Sequence, residues 1–324
     1  MSTSTFTDGH QSEALRHYKV SALLSLPELS TLAVGALSLW LVLAGVALAN
    51  TTLALQHAWI SGPSWQDSVA SLALASLGVA LIWRGLKVAD PAASILGYAG
   101  GALLWMGFFE WTWLNFSLWL GVDPLVIDGQ AVLPPSLLLV QASTFIFLPL
   151  MVLTAANKDT RCRMMLWIRR KLHLNTPTTS TVSQHSHHAA RVSATETVFI
   201  IWFVYLLNIA LYDPRLLGRS PETYTISVAL IGIWAGFLVS RLLRIRSAGL
   251  AIRYAIPTGY LMSIPIDGIT QTGLFPAFWI QPLNYPLSSA VVLGVFIACS
   301  YGLCRALSTS GPATLTPAHT LNSE

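Results

Sequence analysis

Two carboxylates stand where this sequence has least use for charge. Glu110 lies in the stretch GFFEWTWLNF, Gly107 to Phe116, among five aromatic rings. Asp267 lies in YLMSIPIDGITQTGLFPAFWIQP, rich in proline, glycine and aromatics. Ionisable groups at membrane depth are costly, and they usually face a cavity or a partner. Two such acids in one vestibule can bind a cation or a proton, or orient a polar headgroup. Held close together, they can act as general acid and base. For either acid alone the competing reading is a side chain that snorkels to the interface or bonds a Ser, Thr or Trp neighbour. Trp111 and Trp113 flank Glu110 and join the candidate site. Gln141 and Asn208, polar residues inside apolar runs, are candidates to line the same cavity or to hydrogen-bond between helices.

Other chemistry is weakly signalled. His185, His187 and His188 form HSHH, a set that could hold a transition metal. They fall in a Ser/Thr/His-rich stretch with no rigid scaffold, so a solvated linker is the stronger reading. None of the apolar spans contains a histidine, which argues against bis-histidine haem and a His-rich di-iron centre. No Walker A loop, Rossmann fingerprint, HExxH or GxSxG is present. The cofactor and the question of catalysis both stay open at this level. Of three cysteines, Cys299 and Cys304 share an apolar segment and Cys162 lies in a basic loop. That placement argues against a disulfide framework.

The elements that must position the acids follow from composition. The chain has 324 residues, 54% of them hydrophobic and 10% charged, with a mean hydropathy of +0.60. Soluble domains carry about 25% charged residues, so the class is all-α integral membrane protein. The net charge of +4 is then a matter of where basic residues lie, and it does not point to nucleic acid. About 20 apolar residues cross a bilayer core. Eight such runs occur, near 31–54, 67–84, 92–118, 134–156, 196–213, 224–243, 250–267 and 287–306. The polar start of the chain, with Asp8 and Glu13, does not read as a cleaved signal peptide.

Placing the N-terminus in the cytoplasm puts only Arg215 and Arg219 of the 18 basic residues outside. This partition supports eight spans with both termini cytoplasmic. Span three begins near Ala92, so Glu110 lies about 27 Å up the helix, in the outer leaflet beneath an aromatic belt. Asp267 reaches the same depth on span seven. At an offset of 157 residues Arg84 maps to Arg241, Lys87 to Arg244 and Glu110 to Asp267. Spacing and charge, rather than residue identity, thus point to two four-helix halves in a parallel repeat. Gly97 and Gly101 form a GxxxG, a signal for close helix packing.

The expected organisation is a cytoplasmic segment 1–30, a first membrane half 31–156, a linker 157–195, a second half 196–307 and a disordered tail 308–324. In the linker, TRCRMMLWIRRKLHL mixes apolar residues with Arg161, Arg163, Arg169, Arg170 and Lys171. It reads as a helix on anionic inner-leaflet lipid or as an ordinary positive-inside loop. The pattern suits a bacterial inner membrane and a multi-pass chain. Three functions share the paired acids. The first is a transporter or permease for a small solute or cation, working alone or as a homo-oligomer. The second is a membrane subunit or assembly factor of a larger, quinone-linked redox complex. The third is an intramembrane enzyme acting on a lipid-like substrate.

Overall fold

The computed structural model describes residues 29–60, 64–127, 129–156, 168–173 and 189–308. Arg161, Arg163 and the three linker histidines lie outside the described residues. Arg169, Arg170 and Lys171 fall in a single helical turn. The architecture is helical: α1 (Thr31–Trp59), α2 (Trp65–Gly85), α3 (Ala92–Leu104), a π-helical turn (Trp105–Glu110) and α4 (Trp111–Trp119). Then come α5 (Pro135–Ala142), α6 (Thr144–Ala156), α7 (Ala189–Tyr212), α8 (Pro221–Leu242), α9 (Ala248–Gln271) and α10 (Pro286–Ser308).

Apolar runs of this length form helices because lipid offers no partner for a free backbone group. Side chains set several of the starts. Ser30, Ser64 and Ser220 each accept a hydrogen bond from the backbone N–H three residues on, the ordinary N-cap arrangement. Among the described residues six helical runs are long and apolar enough to cross a membrane. They are α1, α2, the continuous run α3 to α4, α7, α8 and α10. The chain is therefore a multi-pass membrane protein of helical class.

The other two expected spans differ from the plain reading. α5 and α6 meet at a 41° bend and make a seventh crossing only if taken together. The break falls at Ser143. Its hydroxyl donates to the Val140 carbonyl at 2.6 Å and accepts the Trp202 indole N–H at 3.2 Å. A serine bonded back to its own helix bends it. α9 has the length of a span but is less apolar, because it carries Arg253, Pro257, Pro265 and Asp267. Its apolar residues are turned inward, with Ala251, Ile252, Ala255 and Ile256 fully buried.

Two further departures bear on the site. The loop after α4 carries a short antiparallel hairpin, β1 (Leu125–Ile127) and β2 (Gln130–Leu133), with Leu125 opposite Leu133. α7 begins at Ala189 rather than near 196. Glu196 is consequently in its second turn, only 3% exposed, beside buried Ser193 and Thr197.

Packing runs across the two halves of the chain. α1 lies against α9 and α10, α7 against α3, α2 against α3, and α8 against α9. α3 is clasped on two sides through its glycines. Gly97 and Gly101 face Ala190 and Ala194 of α7, whereas Gly100 and Gly107 face Gly78, Ser71 and Ala75 of α2. Small residues let helix backbones approach this closely. Tyr98 donates its hydroxyl to the Val42 carbonyl of α1 at 2.9 Å.

An ion pair joins α9 to the start of α3. Arg253 Nη1 stands 2.9 Å from Asp90 Oδ2 and 2.7 Å from Ser94 Oγ. The arginine side chain is only 17% exposed. Asp90→Ala leaves that guanidinium facing no anion and should lower stability by about 1–3 kcal/mol. Thermal melting in detergent measures the loss. Adding Arg253→Met should recover part of it, since the penalty lies in the unpaired charge.

Candidate functional site

Among the described residues two neighbouring cavities hold the acids, one for each. Glu110 closes the π-helical turn and lines the smaller, about 50 Å³, between α1, α3, α7 and α9. Asp267 lines the larger, about 400 Å³, between α7, α8, α9 and the β2–α5 segment. Tyr205 of α7 lines both.

Glu110 enters its cavity from the end of the π-helical turn. Such turns insert one residue into an α-helix and recur at functional sites. Here the turn begins at Trp105, buried against Phe109, Trp113 and Tyr205 with ring centroids 5.6, 5.0 and 5.2 Å away. Phe147 of α6 extends this ring cluster to Trp202, stacked at 5.4 Å. Two polar atoms in this region have no hydrogen-bond partner, Glu110 Oε2 and Trp105 Nε1, and both are fully buried. Both residues line the smaller cavity. Its volume admits a water, which needs about 10–15 Å³ and two or more polar partners. The indole N–H can only donate and a carboxylate oxygen can accept, so a water reaching both would pair them.

The larger cavity is built differently. Asp267 is joined there by Asn208 and by the rings of Tyr205, Tyr212 and Tyr224; the rest of the wall is aliphatic. Tyr212 and Tyr224 sit with ring centroids 5.7 Å apart. Gln271, one turn after Asp267, holds both. Its amide Nε2 donates to the Tyr212 hydroxyl at 2.5 Å, and its Oε1 accepts the Tyr224 hydroxyl at 3.4 Å. Among the described residues no basic side chain pairs with Asp267. Arg215, in the loop after α7, is taken by Asp213 at 2.7 Å, and Arg253 by Asp90.

The remaining sequence candidates take other places. Trp111 donates its indole N–H to Ser68 Oγ of α2 at 3.2 Å. Trp113 packs in the ring cluster. Neither lines a cavity with the acids. Gln141 is half-buried beside the α5–α6 bend and also lies outside both cavities. Asn208 shares the larger one with Asp267. Sequence reasoning missed Tyr205, the tyrosine pair, Gln271 and Glu196. The i, i+4 spacing of Asp267 and Gln271 was the available signal, since it puts both on one helix face.

Among the described residues no group of three or more His, Cys, Asp or Glu could hold a metal ion. Comparison of the chain with protein-family models, with curated proteins and with solved structures finds no match in any of the three. What can be said of function therefore rests on the site.

Proposed function

We propose that this multi-pass protein is a transporter for a small cationic solute, with Glu110 and Asp267 as its two charge-binding groups. The observation that carries the reading is Tyr205, a single side chain shared by the cavities of both acids. Two carboxylates in adjoining chambers, parted by one ring, can hold a cation and a proton in turn. Catalysis by the pair would need both carboxyls on one substrate, and separate chambers do not favour it.

The same reading places the chain in a bacterial inner membrane, with eight crossings and both termini cytoplasmic. The 24-residue length of α9 supports the eighth crossing, since about 36 Å of helix exceeds the bilayer core. Support for an internal repeat comes from packing. Span one on span seven (α1 on α9) has its counterpart in span five on span three (α7 on α3), and α2 on α3 in α8 on α9. That is the pattern a pseudo-two-fold axis generates, with each half lending its first helix to the other. Arg161, Arg163, Arg169, Arg170 and Lys171 are read as an anionic-lipid contact of the linker.

Reconstitution tests the transport reading. Proteoliposomes with entrapped pH-sensitive dye are given an inward gradient of sodium or of tetramethylammonium, and proton movement is followed. Flux above protein-free liposomes is expected. Glu110→Gln and Asp267→Asn should each cut it at least about tenfold, the scale of one lost charge-assisted contact of 1.4 kcal/mol or more. Flux equal in the parent and both variants overturns the reading.

A further inference from the structure

We infer that the larger cavity is a binding site for an alkylammonium head, a cation wrapped in carbon rather than a bare metal ion. The inference rests on the transport reading and names the class of cation. Three observations converge on it.

First, the cavity carries one formal charge, the Asp267 carboxylate, with no basic side chain on it among the described residues. An anion has nothing to pair with there. Second, three tyrosine rings line the same space. Aromatic rings attract a cation through their quadrupole, more strongly when water is excluded, and clustered rings are the usual receptacle for methylated ammonium groups. Third, the remaining wall is aliphatic, including Leu133, Leu137 and Ile264. Hard metal ions demand six or more oxygen ligands or retained water; here the Asp267 carboxylate is the one charged ligand and the Tyr212 and Tyr224 hydroxyls are already bonded to Gln271, so the oxygens present suit a bare metal poorly. Alkyl substituents gain from the aliphatic wall. The cavity volume of about 400 Å³ suits a small organic ligand, within the 300–1,000 Å³ range of such pockets.

Gln271, on the exposed rim of the cavity, bonds the Tyr212 hydroxyl closely and the Tyr224 hydroxyl at 3.4 Å, which favours the paired placement of the two rings and lowers the ordering penalty of binding. It is a positioning residue. The same chemistry reaches an outer-leaflet site from two sources: a free alkylamine in solution, or the ammonium headgroup of a membrane lipid.

Calorimetric titration of the purified full chain in detergent, with tetramethylammonium chloride against sodium chloride at equal ionic strength, tests the site. Saturable binding of tetramethylammonium alone is expected. Asp267→Asn and Tyr224→Leu should each weaken it about tenfold or more, and Tyr224→Phe, which keeps the ring, by less than about threefold. Gln271→Ala should weaken it by less than Asp267→Asn does, with the binding stoichiometry unchanged. Tetramethylammonium heats identical to those of sodium, or binding that survives Asp267→Asn unchanged, overturn the inference.

Nanodiscs separate the two sources. Weaker tetramethylammonium binding in phosphatidylethanolamine than in phosphatidylglycerol marks the lipid headgroup as occupant, and equal binding marks a free solute. The two readings also fail separately. Sodium-driven flux that needs both acids, without tetramethylammonium binding, removes this inference and leaves transport standing. Binding without any flux does the reverse.

Discussion

Gly97→Leu is expected to abolish the folded state, whereas Gly294→Leu leaves it intact. A side chain at Gly97 would run into the backbone of Ala190 on α7, including its carbonyl oxygen. Backbone cannot step aside as a flexible side chain can, so the two helices must separate. Separation removes the support of α3 on its α7 side, where Gly101 also lies 2.8 Å, measured from its would-be Cβ, from the Ala194 carbonyl. Overpacking a core typically costs about 1–3 kcal/mol, and a clash along a backbone seam should exceed that range. Gly294 on α10 has open space where a Cβ would go, so leucine there only adds a lipid-facing side chain. Size-exclusion profiles and thermal melts of the two variants in mild detergent make the comparison. Similar behaviour of both would mean that the α3–α7 seam does not hold the protein together.

The membrane class and the long helices could be read directly because their physics is one-dimensional. A run of apolar residues either covers a bilayer core or does not. The GxxxG at Gly97 likewise announced a close approach, and α7 is the helix that makes it. Tertiary context decided what hydropathy could not. The seventh run, read near 250–267, is the helix α9, and it is shielded by α1, α7 and α8, so it can carry Arg253 and Asp267 without the hydropathy of a lipid-facing span. The fifth span was read from near 196, yet α7 starts at Ala189, so Glu196 lies in its second turn and is buried. The π-helical turn leaves no periodic signature, since one added residue shifts phase only locally. The tyrosines that surround Asp267 were invisible for another reason. Tyrosine counts as apolar in a span, and only the positions of α7, α8 and α9 together bring Tyr205, Tyr212 and Tyr224 to one space.

Tyr205→Ala is expected to uncouple proton movement from cation flux. The phenol ring is the side chain common to the Glu110 and Asp267 cavities, and it is braced by Trp105 at 5.2 Å. In the transport reading the ring keeps the two carboxylates apart, so that one can hold the cation while the other holds the proton. Without it a single cation can serve both acids, and its binding no longer trades against a proton. Proteoliposomes bearing Tyr205→Ala should move protons at least about tenfold more slowly than the parent under the same sodium or tetramethylammonium gradient, a barrier raised by roughly 1.4 kcal/mol or more. Truncating a large ring in the helix core also costs about 3–5 kcal/mol of stability, so a melt must accompany the assay. Tyr205→Phe separates the two effects. It keeps the ring and loses only the hydroxyl, so proton movement should persist. A folded Tyr205→Ala protein that moves protons as fast as the parent would place the separation between the acids elsewhere, and with it the argument that they work as a pair.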